Sequence, residues 1–570
     1  MSAPIYSLKI GGQAGQGIKS SGQLIAKVAS RSGYHIHTYT EFPSLIRGGH
    51  NITQVLFSPD EIAAPLRQTD LLIALNQDTI TRHLAELVSG SGLLFDADKK
   101  FRTAGAAPGV RLLPVPLAKL SGGQELLINT VAVGAALALL GGRLDTLNDL
   151  LRAEFADKGD AVIRPNLEAA AAGFDFAARN FAAQVEPRLT PLPDRPRQMI
   201  VNGAEAVALG AIAGGLQFAA IYPMSPISGI LRVLAQYQAE YGYIYKQPED
   251  EISAVNMAVG AGFAGARAMT ATSGGGFCLM TEGYGLAGMT ETPVVIVEGM
   301  RPGPATGLPT WSAQSDLQFI LHAHQGDFPR IVLAASDIRD AFYLTRQAFN
   351  LAAKYQTPVV VIIDKDLCDD DHSYPVFDNS DFKLDRGKFT SDFNPGFARY
   401  YIESDGISTR SAPGTGNFFI ANSDEHNQQG FSSEDISDVV SQQAKRLRKL
   451  DTCAQTDMPA PQLIGPPDAP LTLVSWGSNR GAVLHALRDF PDVNYLHLTW
   501  MSPFPTTAVT SQLSRARHII DIESNATAQL AQLIAAQTGI TITDHLLKFD
   551  GRPFFPDEIS AKINSVLHPA

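Results

Sequence analysis

The sequence predicts an α/β protein of three domains, each a sheet with helices packed on it. Three observations carry this expectation. Short apolar runs alternate with helical patterns along most of the chain. Several of those runs end in glycine- or proline-rich turns, where open α/β sheets place their ligands. A proline-rich stretch and a long Asp-, Ser-, Asn- and Gly-rich stretch break the pattern into three. The 570 residues suit three or four domains at ~150 residues each.

The first domain is expected over 1–185. An apolar run at 5–10 reads as a strand, GGQAGQGI (11–18) as a turn, and the next residues to about 32 as a helix. Further runs at 71–75, 92–95 and 110–116 alternate with helical patterns, as in a parallel sheet. A linker is expected at 186–199, where four prolines stand among polar residues. The second domain, 200–375, has strand candidates at 218–222, 268–272, 294–297 and 359–363. An excursion with little regular structure follows over 376–465, closed by a helix rich in Lys, Arg and Gln from about 435. The third domain, 466–570, opens with LTLVSWGS and continues with the strands VNYLHL and HIIDIES.

Composition excludes several functions. A net charge of -12 disfavours nucleic acid and anionic membranes as partners. The most apolar helical stretch, 126–140, is short and Ala/Gly-rich, and reads as a buried core helix. The N-terminus carries no secretory pattern, so a cytoplasmic protein is expected. Cys278, Cys368 and Cys453 match no ligand spacing, and an iron–sulfur cluster needs about four cysteines. No metal site is expected on this chain.

Five constellations carry chemistry. YPMSPIS (222–228) follows a strand; its prolines fix the loop and Ser225 offers a hydroxyl, although an ordinary turn would look the same. Glu249, Asp250 and Glu251 precede a helix of small residues. Acids in a first turn are usually dipole-favoured caps. Yet Gly260, Gly262 and Gly265 weaken that stretch by up to ~1 kcal/mol each relative to Ala, so close backbone packing is expected, with a carboxylate positioned to share a proton with a ring nitrogen. TATSGGGF (270–277) is a strand–glycine turn–helix able to cradle an anion. Arg301 then ends a strand, and a Gly/Pro-rich loop leads to Gln314 and Asp316; Arg301 is either a carboxylate clamp or half of a structural ion pair. The turn at 11–17 has GxxGxG spacing, not the dinucleotide GxGxxG, and reads as a phosphate loop or a tight βα turn.

In order and content these pieces resemble the alpha subunits of 2-oxoacid:ferredoxin oxidoreductases that carry a fused gamma domain. Tyr222-Pro223-Met224-Ser225-Pro226 matches that family's Tyr-Pro-Ile-Thr-Pro signature, with Met for Ile and Ser for Thr. GGQAGQGI and PSLIRGGHN (43–51) resemble its gamma domain, VSWGSNRGAVLHAL (474–487) its transketolase C-terminal-like domain, and ISTRSAPGTG and ANSDEHN also match. The resemblance implies a gamma domain associated with coenzyme A, a pyrimidine-binding domain for thiamine diphosphate, and the transketolase-like domain. It implies that Tyr222, Pro223 and Glu251 face the cofactor's aminopyrimidine, that Arg301 meets the substrate carboxylate, and that Ser225 lies near the reacting carbonyl. It places Gly12, Gln13, Gly15, Gln16 and Gly17 near coenzyme A, with Arg47 and Asn129 as further candidates.

The chain has no Gly-Asp-Gly, the usual start of a Mg²⁺–diphosphate site. With the cluster cysteines also missing, the resemblance implies a beta subunit that carries the Mg²⁺–diphosphate site and a [4Fe–4S] cluster, in a heterodimer or an (alpha-beta)2 heterotetramer. The implied reaction is oxidative decarboxylation of a 2-oxoacid with coenzyme A, giving acyl-CoA, CO₂ and reduced ferredoxin. Gamma–alpha fusion and LPTWSAQSDL favour 2-oxoglutarate; pyruvate, branched-chain and aryl 2-oxoacids are the alternatives. A second substrate carboxylate would need a further donor: His322, His324 or the partner chain. Readings from other classes are a non-catalytic scaffold subunit, for which Glu251 would be dispensable, and a nicotinamide-dependent dehydrogenase, which would need no partner.

Overall fold

The structure is a computed structural model; it describes residues 3–44, 48–186, 188–193 and 195–568. The chain forms two compact units, one of 1–201 with 370–376 and 555–558, the other of the remainder.

The first unit is built on an eight-stranded sheet. Its order is Arg111–Val115, Leu87–Asp96, Thr69–Ala74, Tyr6–Ala14, Gly48–Ser58, His35–Glu41, His372–Tyr374 and Met199–Val201. The first four strands are parallel, as expected, but the sheet as a whole is mixed. Gly48–Ser58 runs antiparallel to both its neighbours. The reason is chain length: only residues 42–47 separate it from His35–Glu41, while a parallel crossover needs about a dozen. Helices Ile128–Leu140 and Asp160–Phe181 cross where neither has a side chain. A Cβ at Gly134 would stand 2.1 Å from the Ala170 carbonyl oxygen, and one at Gly173 2.0 Å from that of Val131. Of the apolar 126–140 stretch, Ile128–Leu140 is a core helix while Leu126, before it, is exposed; no helix among the described residues is long and apolar enough to cross a membrane.

The second unit contains two sheets. One has seven strands: Trp500–Ser502, Ile331–Ala334, Pro358–Asp364, Val294–Met300, Ala268–Thr272, Phe218–Ala220 and Ile244–Lys246. All are parallel except Trp500–Ser502, which the C-terminal segment lends to the edge. The other has five: Gln462–Ile464, Val493–Leu498, Leu471–Trp476, His518–Glu523 and Asp544–Leu547, with only Gln462–Ile464 antiparallel. Central strands such as Val294–Met300 are buried on both faces and read as continuous apolar runs.

Residues 377–435 form no helix or strand and are held by side chains. Helix Ile436–Thr456 brings Lys445 and Lys449 to the carboxylate of Glu291, at 2.6 and 2.5 Å, all three fully buried. Lys445 also donates to the Tyr400 carbonyl and the Ser408 hydroxyl, and Arg446 pairs with Glu425. The excursion is thereby clamped between this helix and the seven-stranded sheet's unit.

Candidate active site

The site begins at the carboxyl ends of the seven-stranded sheet. Strand Phe218–Ala220 gives way to the 222–228 turn, with Tyr222 half-buried and Pro223 and Ser225 exposed. Arg301 follows strand Val294–Met300, and its Nη1 donates to the Ser225 carbonyl oxygen at 2.9 Å. The two sequence candidates thus meet, through the Ser225 backbone.

The three acids before helix Glu251–Phe263 separate into three fates. Glu249 is exposed. Asp250 is the N-cap, accepting from the Ser253 N–H at 2.7 Å. Glu251 is turned inward, 3% exposed, and its Oε1 has no hydrogen-bond partner. A buried carboxylate oxygen without a donor is costly unless something else is to meet it. Gly276, in the first turn of helix Gly274–Met289, makes room for it: a Cβ there would lie 2.6 Å from Glu251 Oε1 and 2.1 Å from Thr272 Oγ1. A carboxylate kept without an internal donor fits the ring N–H of an aminopyrimidine.

Two residues outside the sequence-based set complete this end of the sheet. Glu298, within Val294–Met300, is fully buried, and neither carboxyl oxygen meets a donor. Burial, followed by the charge of Asp316, raises its carboxyl well above the usual carboxylate range. Asp316 in turn covers the start of helix Gly274–Met289, where a Cβ at Gly274 would be 2.5 Å from Oδ2. The segment that delivers Asp316 is fastened to the five-stranded sheet through Gln314. Its Oε1 accepts from Asn479 Nδ2 at 2.8 Å and from the Ser524 N–H at 3.1 Å, and its Nε2 donates to the Trp476 carbonyl at 3.0 Å. A charged residue inside an apolar strand was the available signal for Glu298; a pattern read for apolar runs passes over it.

His322 and His324 do not join this end. The ring of His324 occupies the place where Gly285 has no side chain, and His322 Nδ1 bonds the Gln318 carbonyl at 2.8 Å. Gly285 is eleven residues along the helix from Gly274, about 17 Å at 1.5 Å per residue.

The glycine turn belongs to the first unit. Gly12 lies at the end of strand Tyr6–Ala14, where a Cβ would strike Gln16 Oε1 and Ile18. Gln16 folds back to accept from the Gln13 N–H at 2.7 Å. Gly15 and Gly17 have φ of +92° and +67°, conformations that other residues resist, and no atom lies within 4 Å of a Cβ at Gly15. Gly17 caps helix Ile18–Arg31, and Asn129 packs against it with Nδ2 3.3 Å from Ser21 Oγ. The turn and Asn129 are thus together; Arg47 lies outside the described residues. Among the described residues no group of His, Cys, Asp and Glu could hold a metal ion.

Comparison with known proteins gives this geometry a family. Residues 7–176 match the family described as pyruvate ferredoxin/flavodoxin oxidoreductase, and residues 209–446 its thiamine-diphosphate-binding part. The alpha subunit of 2-oxoacid:ferredoxin oxidoreductase from Saccharolobus solfataricus is 31% identical over 98% of this chain and 98% of its own. The chain belongs to the 2-oxoacid:ferredoxin oxidoreductase alpha-subunit family. It is thus one polypeptide of a multi-subunit oxidoreductase. Within the family it resembles the 2-oxoglutarate oxidoreductase subunit KorA of Mycobacterium tuberculosis, 27% identical over 98% of this chain and 91% of that one. The solved 2-oxoglutarate:ferredoxin oxidoreductase of Magnetococcus marinus, with 2-oxoglutarate, coenzyme A and succinyl-CoA bound, superposes with a TM-score of 0.92 at 30% identity, covering 98% of this chain and 99% of the other.

Proposed function

We propose that this alpha subunit, joined to a beta subunit, oxidatively decarboxylates 2-oxoglutarate with coenzyme A to succinyl-CoA and CO₂, passing electrons to ferredoxin. The observation that carries the reading is Glu251: a buried carboxylate with a partnerless oxygen, at the head of a helix and against a glycine, in the part of the chain matched to thiamine diphosphate binding. The full-length likeness to an enzyme holding 2-oxoglutarate and coenzyme A supports the substrate and the acyl acceptor.

In this reading 200–375 is the pyrimidine-binding domain and 1–185 the coenzyme A-associated domain. Thiamine diphosphate, when bound, supplies a nucleophilic carbon for the 2-oxo group and an electron sink for the decarboxylation. Glu251 holds and releases a proton at the aminopyrimidine ring, with Tyr222 and Pro223 beside it. Arg301 orients the 2-oxoacid carboxylate, and Ser225 lies near the keto oxygen. Gly12, Gln13, Gly15, Gln16, Gly17 and Asn129 present backbone and amide donors to the phosphates of coenzyme A. The partner supplies Mg²⁺, the diphosphate site and the [4Fe–4S] cluster, consistent with the missing Gly-Asp-Gly and the three scattered cysteines.

The test is to express the chain with and without its beta subunit and assay a panel of 2-oxoacids with a one-electron acceptor. Turnover is expected only in the complex, with 2-oxoglutarate giving the highest kcat/KM. Turnover by the chain alone, or a clear preference for pyruvate, would overturn the partner or the substrate assignment.

A further inference from the structure

A hydrogen-bonded chain of titratable side chains lies beside the glycine turn and has no part in the chemistry above. Lys9, from strand Tyr6–Ala14, pairs with Glu86 Oε2, and Thr69 Oγ1 donates to the same oxygen at 3.3 Å. Glu86 Oε1 meets His83 Nδ1 at 2.8 Å, and His83 Nε2 meets His50 Nε2 at 2.8 Å. The chain ends at His50 Nδ1, which is buried, has no hydrogen-bond partner and stands 3.8 Å from Asp78 Oδ2. The His50 side chain is only 7% exposed. Strand register fixes its place. Gly12 pairs with Asn51 and Ala14 with Gly48, so Gly49 and His50 stand across from Gln13, in the turn assigned to coenzyme A. Helix Gln77–His83, which carries Asp78 and His83, abuts the strand just before that turn: a Cβ at Gly11 would lie 2.5 Å from Thr79 Cγ2.

These bonds fix where protons sit. Glu86, ionised beside Lys9, accepts from the His83 Nδ1–H. With both imidazoles neutral, His83 Nε2 must then accept from the His50 Nε2–H, and His50 Nδ1 is left as a bare lone pair. One proton can be added, at His50 Nδ1, where it faces the Asp78 carboxylate; the other ring nitrogens are engaged. We propose that the His50–His83 pair belongs to the coenzyme A site and takes up one proton from solvent when the ligand's phosphates occupy the glycine turn. The cation so formed offsets part of the phosphate charge. This rests on the reading of the glycine turn as the coenzyme A site. Burial, then the charge of His83, lowers His50 to about 4 in the free chain, so it holds no added proton at neutral pH. Asp78 and Glu41 oppose that shift, and Arg82 adds to it. Lys9 faces the pair only through Glu86, whose charge it cancels. One phosphate charge ~8 Å away, at an effective dielectric constant of ~20, favours the proton by ~30-fold, and two such charges by ~10³-fold. That is enough to bring His50 into the neutral range.

The experiment titrates the assembled alpha–beta complex with coenzyme A, without 2-oxoacid, by calorimetry in buffers of different ionisation enthalpy, which counts the protons taken up. Coenzyme A has a titrating 3′-phosphate of its own, so 3′-dephospho-coenzyme A is the second probe. Both should bind at pH 7 with uptake of a substantial fraction of one proton, and the dissociation constant should rise with pH, by up to ~10-fold per pH unit. His50→Gln keeps a hydrogen-bonding side chain but cannot carry the charge. It should bind both probes several-fold more weakly at pH 6.5, with no uptake of the kind the parent shows. Asp78→Asn, at a half-exposed position, removes the carboxylate that faces the added proton and should cut the uptake; it serves if His50→Gln fails to assemble. No uptake with 3′-dephospho-coenzyme A in the parent overturns the proposal, as does parental uptake in either variant. Gly15→Val separates the two levels. If it weakens coenzyme A binding while the parent takes up no proton, the turn stands as the site and the proton coupling is wrong; if it leaves binding unchanged, both fall.

Discussion

Replacing Gly276 by alanine should disable Glu251 without touching it. The methyl group would be built 2.6 Å from Glu251 Oε1, 2.8 Å from its Cγ and 2.1 Å from Thr272 Oγ1. Ordinary contacts between such atoms lie near 3.5 Å, so the carboxylate must retreat by ~1 Å. Misplacing a reacting group by ~1 Å can cost ~10²-fold in rate. The same substitution sits in the first turn of helix Gly274–Met289, where alanine is favoured over glycine by up to ~1 kcal/mol. Part of the packing cost is thereby offset, and the thermal midpoint should move by only a few degrees. The assay is turnover in the assembled complex, beside thermal unfolding and the visible absorbance of the cluster. A fall in kcat of ~10–100-fold with cluster and stability retained is expected. A Gly276→Ala complex with parental kcat would refute the idea that this glycine exists to seat Glu251.

Three further outcomes follow from other parts of the chain. A Cβ at Gly15 meets no atom within 4 Å, but Gly15→Val forces valine to a φ of +92°, so KM for coenzyme A should rise while the first electron transfer changes little; stopped-flow reduction of the acceptor separates the two. Glu291→Gln leaves two buried ammonium groups, with Lys449 already drawn down to about 7 by burial, and should cost about 3–5 kcal/mol in a denaturant titration; replacing Glu291, Lys445 and Lys449 together by apolar residues should recover most of it. Burial lowers His37 and His497 to about 3, so between that value and the unfolded ~6.5 the unfolded chain binds more protons. Stability is therefore full above pH 6.5 and falls by roughly 1.4 kcal/mol per pH unit for each histidine below it; urea midpoints from pH 7.5 to 5 should show this, with a flatter dependence in His497→Gln.

The parts of the site legible in the sequence are those whose signal is local. The 222–228 turn announces itself by two prolines after an apolar run, and Glu251 by a helix of small residues behind it. Which of the three neighbouring acids turns inward depends on the Asp250 cap and on the space left by Gly276, twenty-five residues away. Glu298 escapes a pattern of apolar content, which ends at Val297, whereas the strand continues through the acid to Met300. Strand Ile331–Ala334, four residues long, left too short a pattern to be noticed. The Asp-, Ser-, Asn- and Gly-rich composition of 377–435 is local, but its anchor, Glu291 with Lys445 and Lys449, joins residues more than 150 positions apart. The mixed first sheet could have been anticipated from the short 42–47 connection, which permits a hairpin and no crossover.

In the proposed reaction Glu251, and neither neighbouring acid, governs the proton on the cofactor ring. Exchange of the thiazolium C2 proton of thiamine diphosphate bound to the alpha–beta complex measures this directly, before any substrate is added. Glu251→Gln preserves shape and hydrogen bonding but cannot carry the charge, so exchange should slow by ~10²–10⁴-fold with the cofactor and cluster still bound. Asp250→Asn, which removes a charge but keeps a capping oxygen for the Ser253 N–H, and Glu249→Gln, which alters an exposed charge, should exchange at the parental rate. Parental exchange in Glu251→Gln, or a collapse confined to Glu249→Gln, would contradict the account.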